Sequence, residues 1–471
     1  MSKPEPLQDH QSRALVALSE VQDLLVEYGT GTGKTRIYIE LVDILTKIGD
    51  VPILVLVPNS LMEQTLGQFE HWLGERWTEK HLRVLGPPRN IERRRDALKR
   101  GRDDVYLLSH ESLSYGSIRE ALMARRWKAV IVDEGSRFRN HSKRTRGLMQ
   151  LGKRSINRYV FTGRLQVKTP ADVFYVMNFL QEGIFGTMNR QMFINNYCII
   201  GGYMGREPID VRPDKLEELK AIMGAHSIHC ELRDVRKLPP REMIVHRVDI
   251  APAQKKAYLQ MRDQLRVEIE RTTEPVFKSL SKTYATRLQR LQEIGAGFAR
   301  NIDGDIVRLP SPKTNELVNI ISEDPDIPTI IWYWWTPERD IICTALSKAK
   351  ISYRIFGAKG AQEDFETGKV NVFIAQLAKG GYGLNLPRAL RMIYHSLPWD
   401  LDVYLQSQER NMRLNTKMPG KRKNGTKGFL EIIHLMVRGS VDEYVRDKLQ
   451  NKAGISEKIS KSQALEMLRK A

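Results

Sequence analysis

Two α/β lobes, each a parallel sheet with flanking helices, joined by a mainly helical connecting region, are the fold class that this sequence predicts. Three observations carry the expectation. Short apolar runs without polar alternation recur between residues 24 and 163, a glycine-rich loop separates the first run from a helical pattern, and a second series of runs begins at 329. Strands that are apolar throughout suit a sheet covered on both faces, which is the parallel kind.

Along the chain, the first series is LLVEY (24–28), PILVLVP (52–58), VYLLSH (105–110), AVIVDE (129–134) and YVFTG (159–163). Between the first two, Ile37, Leu41, Ile44, Leu45 and Ile48 fall on one helical face, so the unit repeats as β-α. From about 181 to 310 helical patterns dominate, notably DKLEELKAIMG and 252–298, interrupted by one alternating segment, REMIVHRVDI, and by Pro239-Pro240. The second series is TIIWYWW (329–335), SYRIF (352–356), NVFIAQ (371–376), RMIYHS (391–396) and LEIIHLMV (430–437). The expected division is therefore 1–180, 181–310 and 311–471. The aromatic run WYWW (332–335) reads as buried strand rather than a base-stacking platform. The basic, glycine-containing TKMPGKRKNGTKG (416–428) reads as an exposed loop.

Composition narrows the partners. Lys and Arg number 75 against 56 Asp and Glu, a formal charge of +19 with a pI near 9.7, which favours a polyanion such as nucleic acid. Basic clusters at 93–95, at Arg125, Arg126 and Lys128, at 137–146 and at 421–423 are candidate phosphate contacts, giving salt-sensitive binding without sequence preference. No apolar window approaches a membrane span and the N-terminus MSKPEPLQDHQ lacks a signal-like apolar region, so a cytoplasmic protein is expected. Cys198, Cys230 and Cys343 are far apart and have no metal-ligand spacing.

Two motifs carry chemistry. EYGTGTGKTRIYIEL follows the first strand and opens the first helix, the context of a phosphate-binding loop. Glycines such as Gly31 and Gly33 let backbone N–H groups face phosphates, Lys34 would reach the β- and γ-phosphates, and Thr35 would take Mg²⁺. Tyr28 stands where the generic pattern has glycine. At the end of AVIVDEGSRFRN's apolar run, Asp133 would hold Mg²⁺ and Glu134 would orient or deprotonate water. Adjacent side chains on a strand point to opposite faces, so the chain must bend there for both to serve.

With these motifs in place, the chain resembles a superfamily 2 helicase-type ATPase of the Swi/Snf family, particularly its compact phage or bacterial members. DEGSRFRN resembles the family's Asp-Glu-x-His box, with Ser136 in place of His and Arg139-Asn140 in place of Lys-Asn. LQDHQ (7–11) resembles its adenine-recognising Q motif, pointing to Gln11. LVLVPNSLMEQTLGQFEHW (54–72) resembles motif Ia and VYLLSHESL (105–113) the DNA-side segment after it. AKGGYGLNL (378–386) resembles motif V. LPWDLDVYLQSQERNMRL (397–414) resembles motif VI, whose pattern is met by Gln406, Glu409, Arg410 and Arg413; in the family such arginines reach across the interlobe cleft to the γ-phosphate. LRDVRKLPPREMIVHRVDIAPAQKKAY (232–258) is similar to the family's linker between lobes, and RLQRLQEIGAGF (287–298) to the helix after it. One segment departs from the pattern: TGRLQVKTP (162–170) keeps Thr162, Gly163 and Pro170 of motif III but has Arg164, Leu165 and Lys168 in place of Thr, Pro and Asn.

The resemblance implies two RecA-like lobes that close on ATP·Mg²⁺ and a DNA-dependent ATPase acting as a translocase on duplex, forked or branched DNA. Fork or branch remodelling, strand annealing or protein displacement would be its work, in a bacterial or phage-infected cell. Catalytic roles fall to Lys34, Glu134, Arg410 and Arg413, and nucleotide contacts to Gln11, Gly31, Gly33, Lys34 and Thr35. Thr35 and Asp133 are the metal ligands, while Thr162, Gly163, Arg164, Arg139, Gly383 and Gln406 are coupling or DNA-side residues. Two alternatives stand beside it: a strand-separating DNA or RNA helicase working on single-stranded tails, and a DNA-binding protein whose ATPase is lost or uncoupled.

Overall fold

The computed structural model describes residues 6–470 except 86–90, 101–103, 166–168, 202–206, 238–239, 302, 381–383, 385, 409, 411–428 and 452–460. It divides into two units, Met1–Lys237 and Leu238–Ala471.

The first unit is built on strands β1 (Asp23–Tyr28), β2 (Ile53–Val57), β3 (Leu82–Leu85), β4 (Val105–Ser109), β5 (Trp127–Asp133) and β6 (Ser155–Thr162). A hairpin of β7 (Cys198–Gly201) and β8 (Glu207–Val211) follows, then β9 (Ser227–Cys230). Seven of these form one parallel sheet in the order β3-β4-β2-β5-β6-β1-β9. β2 and β4 are buried along their whole length because helices cover both faces, which is why their sequences show no alternation. Helix α1 (Asp9–Glu20) precedes β1 and α2 (Lys34–Lys47) follows it. On α2 the core face is Ile37, Tyr38, Leu41, Val42 and Leu45, whereas Ile44 and Ile48, expected on it, are exposed. The apolar stripe is rotated toward Tyr38 and Val42.

The second unit contains β10 (Arg241–Val248), a small ribbon of β11 (Phe298–Arg300) and β12 (Ile306–Arg308), then β13 (Thr329–Tyr333), β14 (Tyr353–Ile355), β15 (Val372–Gln376), β16 (Arg391–Tyr394) and β17 (Leu430–Val437). Six form a parallel sheet in the order β10-β17-β16-β13-β15-β14. Each unit is thus a RecA-like α/β lobe. Within the run WYWW, Trp332 and Tyr333 are buried in β13, while Trp334 and Trp335 are half-buried at its end. Two pairs of buried charges meet in this lobe, Lys313 Nζ with Asp442 Oδ2 at 2.9 Å and Arg391 Nε with Glu431 Oε2 at 2.5 Å, which offsets their desolvation.

The region expected to connect the lobes, 181–310, is not a separate body. Residues 181–237 pack with the first unit, where β9 extends the sheet beside β1. The alternating segment after Pro240 becomes β10, an edge strand paired along eight residues with β17. None of its residues is fully buried, as suits a strand at the edge of the sheet. Two long helices, Pro252–Arg271 and Glu274–Gly295, then pack against one face of the second sheet through Tyr258, Leu265, Phe277, Leu288 and Leu291.

Candidate active site

The loop between β1 and α2 is shaped by two glycines with left-handed backbone, Gly31 at φ 87 and Gly33 at φ 86. At Gly33 the requirement is double, because an added Cβ would also stand 2.2 Å from Gln11 Nε2. Gln11 is buried on α1, where its Oε1 accepts the Gln8 N–H (3.0 Å) and its Nε2 donates to the Thr32 carbonyl (3.3 Å). His10 Nε2 donates to the same carbonyl at 2.8 Å. Helix α1 therefore grips the outer wall of the loop.

Inside the loop, the Lys34 ammonium donates to the carbonyls of Tyr28 (2.6 Å) and Gly29 (3.2 Å). Tyr28 fits in place of glycine because its side chain leaves the loop, donating its hydroxyl to the His10 carbonyl at 3.0 Å. Its carbonyl alone faces the lysine.

Asp133 ends β5, two strands away in the sheet order, and is buried. Burial raises its pKa to about 7 and the Glu134 carboxylate adds to the rise, with the Lys34 ammonium pulling the other way. Glu134 takes φ 51, ψ 52, a left-handed conformation rare for a residue with a side chain. This is the bend that lets two adjacent carboxylates serve one site. Its N–H donates to Asp133 Oδ1 at 2.9 Å, closing the turn. The Tyr38 hydroxyl is buried among Thr65, Thr35 and Asp133, yet meets none of them in hydrogen-bonding geometry.

These residues fit a nucleotide triphosphate with its divalent cation. An ammonium that donates to two loop carbonyls, a buried carboxylate whose pKa is raised despite that ammonium, and an unsatisfied hydroxyl beside Thr35 form one cluster of opposite polarities. Among the described residues no group of three or more His, Cys, Asp or Glu could hold a metal by itself. Thr35 and Asp133 would need the phosphates to complete a cation's shell, which is how Mg²⁺ is commonly held.

The motif III segment closes the far side. A Cβ on Gly163 would lie 3.5 Å from Thr30 Oγ1 and 4.0 Å from Lys34 Nζ, so its backbone rests against the loop. Thr162 is buried and donates to the Arg164 carbonyl at 3.2 Å. Leu165 is fully buried and its N–H donates to Glu27 Oε1 at 2.8 Å. Between these anchors Arg164 is exposed, with no ion pair to any described residue. Lys168 lies outside the described residues.

Several residues of this rim were not singled out from sequence. Glu27, a carboxylate within an apolar strand, was a signal available and unused. His229 stands 3.9 Å from Glu27 Oε2 and 3.7 Å from Glu231 Oε1, and the Cys230 carbonyl accepts the Gly29 N–H at 2.8 Å. β9 therefore borders the phosphate loop, which short edge-strand sequence does not reveal.

The basic cluster after Glu134 differs from the phosphate-facing arrangement expected of it. Arg137 and Arg144 are only 21% and 27% exposed, and both lie on Glu111, at 3.6 and 3.9 Å. Arg144 also donates to the Arg137 carbonyl (2.9 Å) and covers the Phe138 ring. Arg139 is half-buried, while Lys143 and Arg146 are exposed. Of the other clusters, Arg125 is engaged by Tyr106 and the Leu98 carbonyl, and 421–423 lies outside the described residues.

In the second unit, Gln406 sits on the helix Leu401–Gln408 and Arg410 just beyond it. Arg410 is buried, donating to the carbonyls of Gln406 (2.9 Å) and Leu384 (3.4 Å), while its own carbonyl accepts the Leu386 N–H (3.1 Å). In this conformation it clamps the segment resembling motif V to the one resembling motif VI rather than projecting to solvent. Gly383, Glu409 and Arg413 lie outside the described residues.

Residues 14–294 match the family described as SNF2-related domain. The transcription regulatory protein SNF2 of Saccharomyces cerevisiae is 23% identical over 463 residues, covering 91% of this chain and 26% of that protein. The chromatin structure-remodeling complex subunit snf21 of Schizosaccharomyces pombe is 24% identical over 468 residues, covering 91% of this chain and 37% of that protein. The chain therefore spans well under two thirds of either relative. Among solved structures, the Sulfolobus solfataricus SWI2/SNF2 ATPase core in complex with dsDNA is 19% identical, with 95% of this chain and 91% of that one covered and a TM-score of 0.43.

Proposed function

Because the chain belongs to the SNF2-related domain family, which it matches over 14–294, we propose that it is a DNA-dependent ATPase that translocates on DNA. The observation that carries this reading is the cradle in which Lys34, Asp133, Glu134 and the Gly163 backbone meet around one glycine-rich loop. Lys34 exchanges the Tyr28 and Gly29 carbonyls for terminal phosphate oxygens, which a point charge on a flexible stem does readily. Thr35 and Asp133 would hold Mg²⁺, which when bound would supply charge neutralisation at those oxygens. Glu134, displaced from the strand by its left-handed backbone, positions the attacking water and takes up its proton. Gln11, packed on Thr32 and Gly33, reads the base side of the loop.

The formal charge of +19 supports a polyanionic track, and duplex, forked or branched DNA is the proposed substrate, with fork or branch remodelling as the work. Arg410 and Arg413 are proposed to complete charge neutralisation during turnover; Arg410 would first release the Leu384 carbonyl. A second reading, an ATPase uncoupled from DNA, is favoured by one observation, the Arg164 substitution in a segment that rests on the phosphate loop.

Steady-state ATP hydrolysis with no nucleic acid, single-stranded DNA, duplex, forked DNA and RNA, at two salt concentrations, tests the proposal beside Lys34→Ala. Stimulation by duplex or forked DNA that disappears in the variant supports it. Equal turnover with and without DNA supports the uncoupled reading, and turnover surviving in Lys34→Ala overturns the assignment of the loop.

A further inference from the structure

Glu111 joins three segments of the first unit that the sequence keeps far apart. Its Oε2 accepts the Asn59 N–H at 3.2 Å, just past the end of β2. Its Oε1 lies 3.6 Å from Arg137 Nη1 and 3.9 Å from Arg144 Nη1, in the segment that leaves β5 after Asp133-Glu134. His110, beside it in the chain, is buried, with its ring 4.7 Å from Phe138 and its Nε2 3.3 Å from the Leu56 carbonyl. Its other nitrogen turns toward the Asp133 backbone carbonyl without meeting it in hydrogen-bonding geometry. Burial and the Arg137 and Arg144 guanidiniums hold this imidazole neutral, so the charge balance of the cluster rests on Glu111.

We infer that Glu111 is a positioning residue that holds Arg137 and Arg144 in register with the end of β2, so that DNA engagement is felt at Asp133-Glu134; the inference rests on the function proposed above. A carboxylate cannot itself bind a phosphate. It is 41% exposed and both guanidiniums are beyond 3.5 Å, so solvent screens each pair and neither is worth much as stability. What the arrangement supplies is orientation. One carboxylate takes a backbone N–H and two guanidiniums, the set of donors that a phosphate would otherwise attract. Arg137 follows Glu134 by three residues across the short turn Gly135–Phe138, so its placement and that of the Glu134 backbone are linked.

The signature separates positioning from binding. Glu111→Gln keeps the acceptor for Asn59 N–H and removes the negative charge. ATP turnover at saturating duplex should fall about fivefold or more, while duplex affinity, read by anisotropy of a labelled DNA across a salt series, stays the same or tightens because an anion has left a basic surface. Glu111→Asp, which keeps the charge on a shorter stem, should recover part of the stimulated rate. Weakened duplex affinity in Glu111→Gln, or an unchanged stimulated rate, overturns the inference while leaving the proposed function standing. A wild-type chain that duplex does not stimulate overturns both.

Discussion

The Lys34 ammonium lies 2.6 Å from the carbonyl oxygen of Tyr28, so the last residue of β1 holds the lysine through its backbone while its side chain points away to α1. Tyr28→Phe should therefore leave ATP turnover within about twofold. Loss of the hydroxyl removes one bond to the His10 carbonyl, which keeps its helical N–H partner, a destabilisation of about 0.5–1.5 kcal/mol. Thermal unfolding and initial rates on the same preparation check both parts, and a collapse of turnover at full stability would mean that the tyrosine ring acts in the loop.

Gly33→Ala should abolish turnover for two separable reasons. The methyl group would meet Gln11 Nε2, and the backbone at φ 86 disfavours any side chain. Adding Gln11→Ala relieves only the first, so the double variant should remain at least about 1 kcal/mol less stable than Gln11→Ala alone. Equal stabilities would show that the loop relaxes to another conformation.

Asp133 gives a pH signature whose sign is fixed by its raised pKa. A folded value of about 7 against an ordinary 3.8 means that the folded chain pays, on ionising this group, a cost absent from the unfolded chain. The penalty begins above pH 4, grows as pH rises and is complete above about 7, reaching on the order of 2–4 kcal/mol. In chelator, Asp133→Asn should thus be more stable than wild type by a margin larger at pH 8 than at pH 5. With magnesium and ATP present, wild-type nucleotide affinity should instead rise across pH 6–8, because the ligating form is the ionised one. A margin that shrinks with pH would contradict the burial of this carboxylate.

Arg164 is exposed between two buried anchors, so Arg164→Thr should leave the unfolding midpoint within about 1 °C. It directly follows Gly163, whose backbone rests against the loop beside Lys34, and removing a cation from this segment should raise KM for ATP several-fold. No change in KM or in DNA stimulation would show that the motif III segment tolerates arginine.

Much of the fold was legible because parallel strands covered on both faces write themselves as mainly apolar runs; β2, β4, β13 and β17 fall within such runs, and β5 begins two residues before its own. At the edges of the two large sheets β14 was read, but β3, β9 and β10 were missed. β3 has four residues, β9 carries His229, and β10 has no fully buried residue, so all three lack the signal that marked the centre. The loop glycines, Lys34 and the Asp133-Glu134 pair were readable because they are contiguous in sequence. The grip of Glu111 on Arg137 and Arg144 was not, since ion pairs across 26 or more residues leave no local pattern, and a basic run looks the same whether it faces solvent, phosphate or a partner carboxylate.

Whether hydrolysis moves the protein along DNA is tested most directly by displacement of a triplex-forming strand from a duplex, which follows stepping without requiring strand separation. ATP should drive release of the third strand by the wild-type chain, and neither ADP nor the Lys34→Ala variant should do so. DNA-stimulated ATP turnover with the triplex left intact would contradict translocation and leave an ATPase uncoupled from its track.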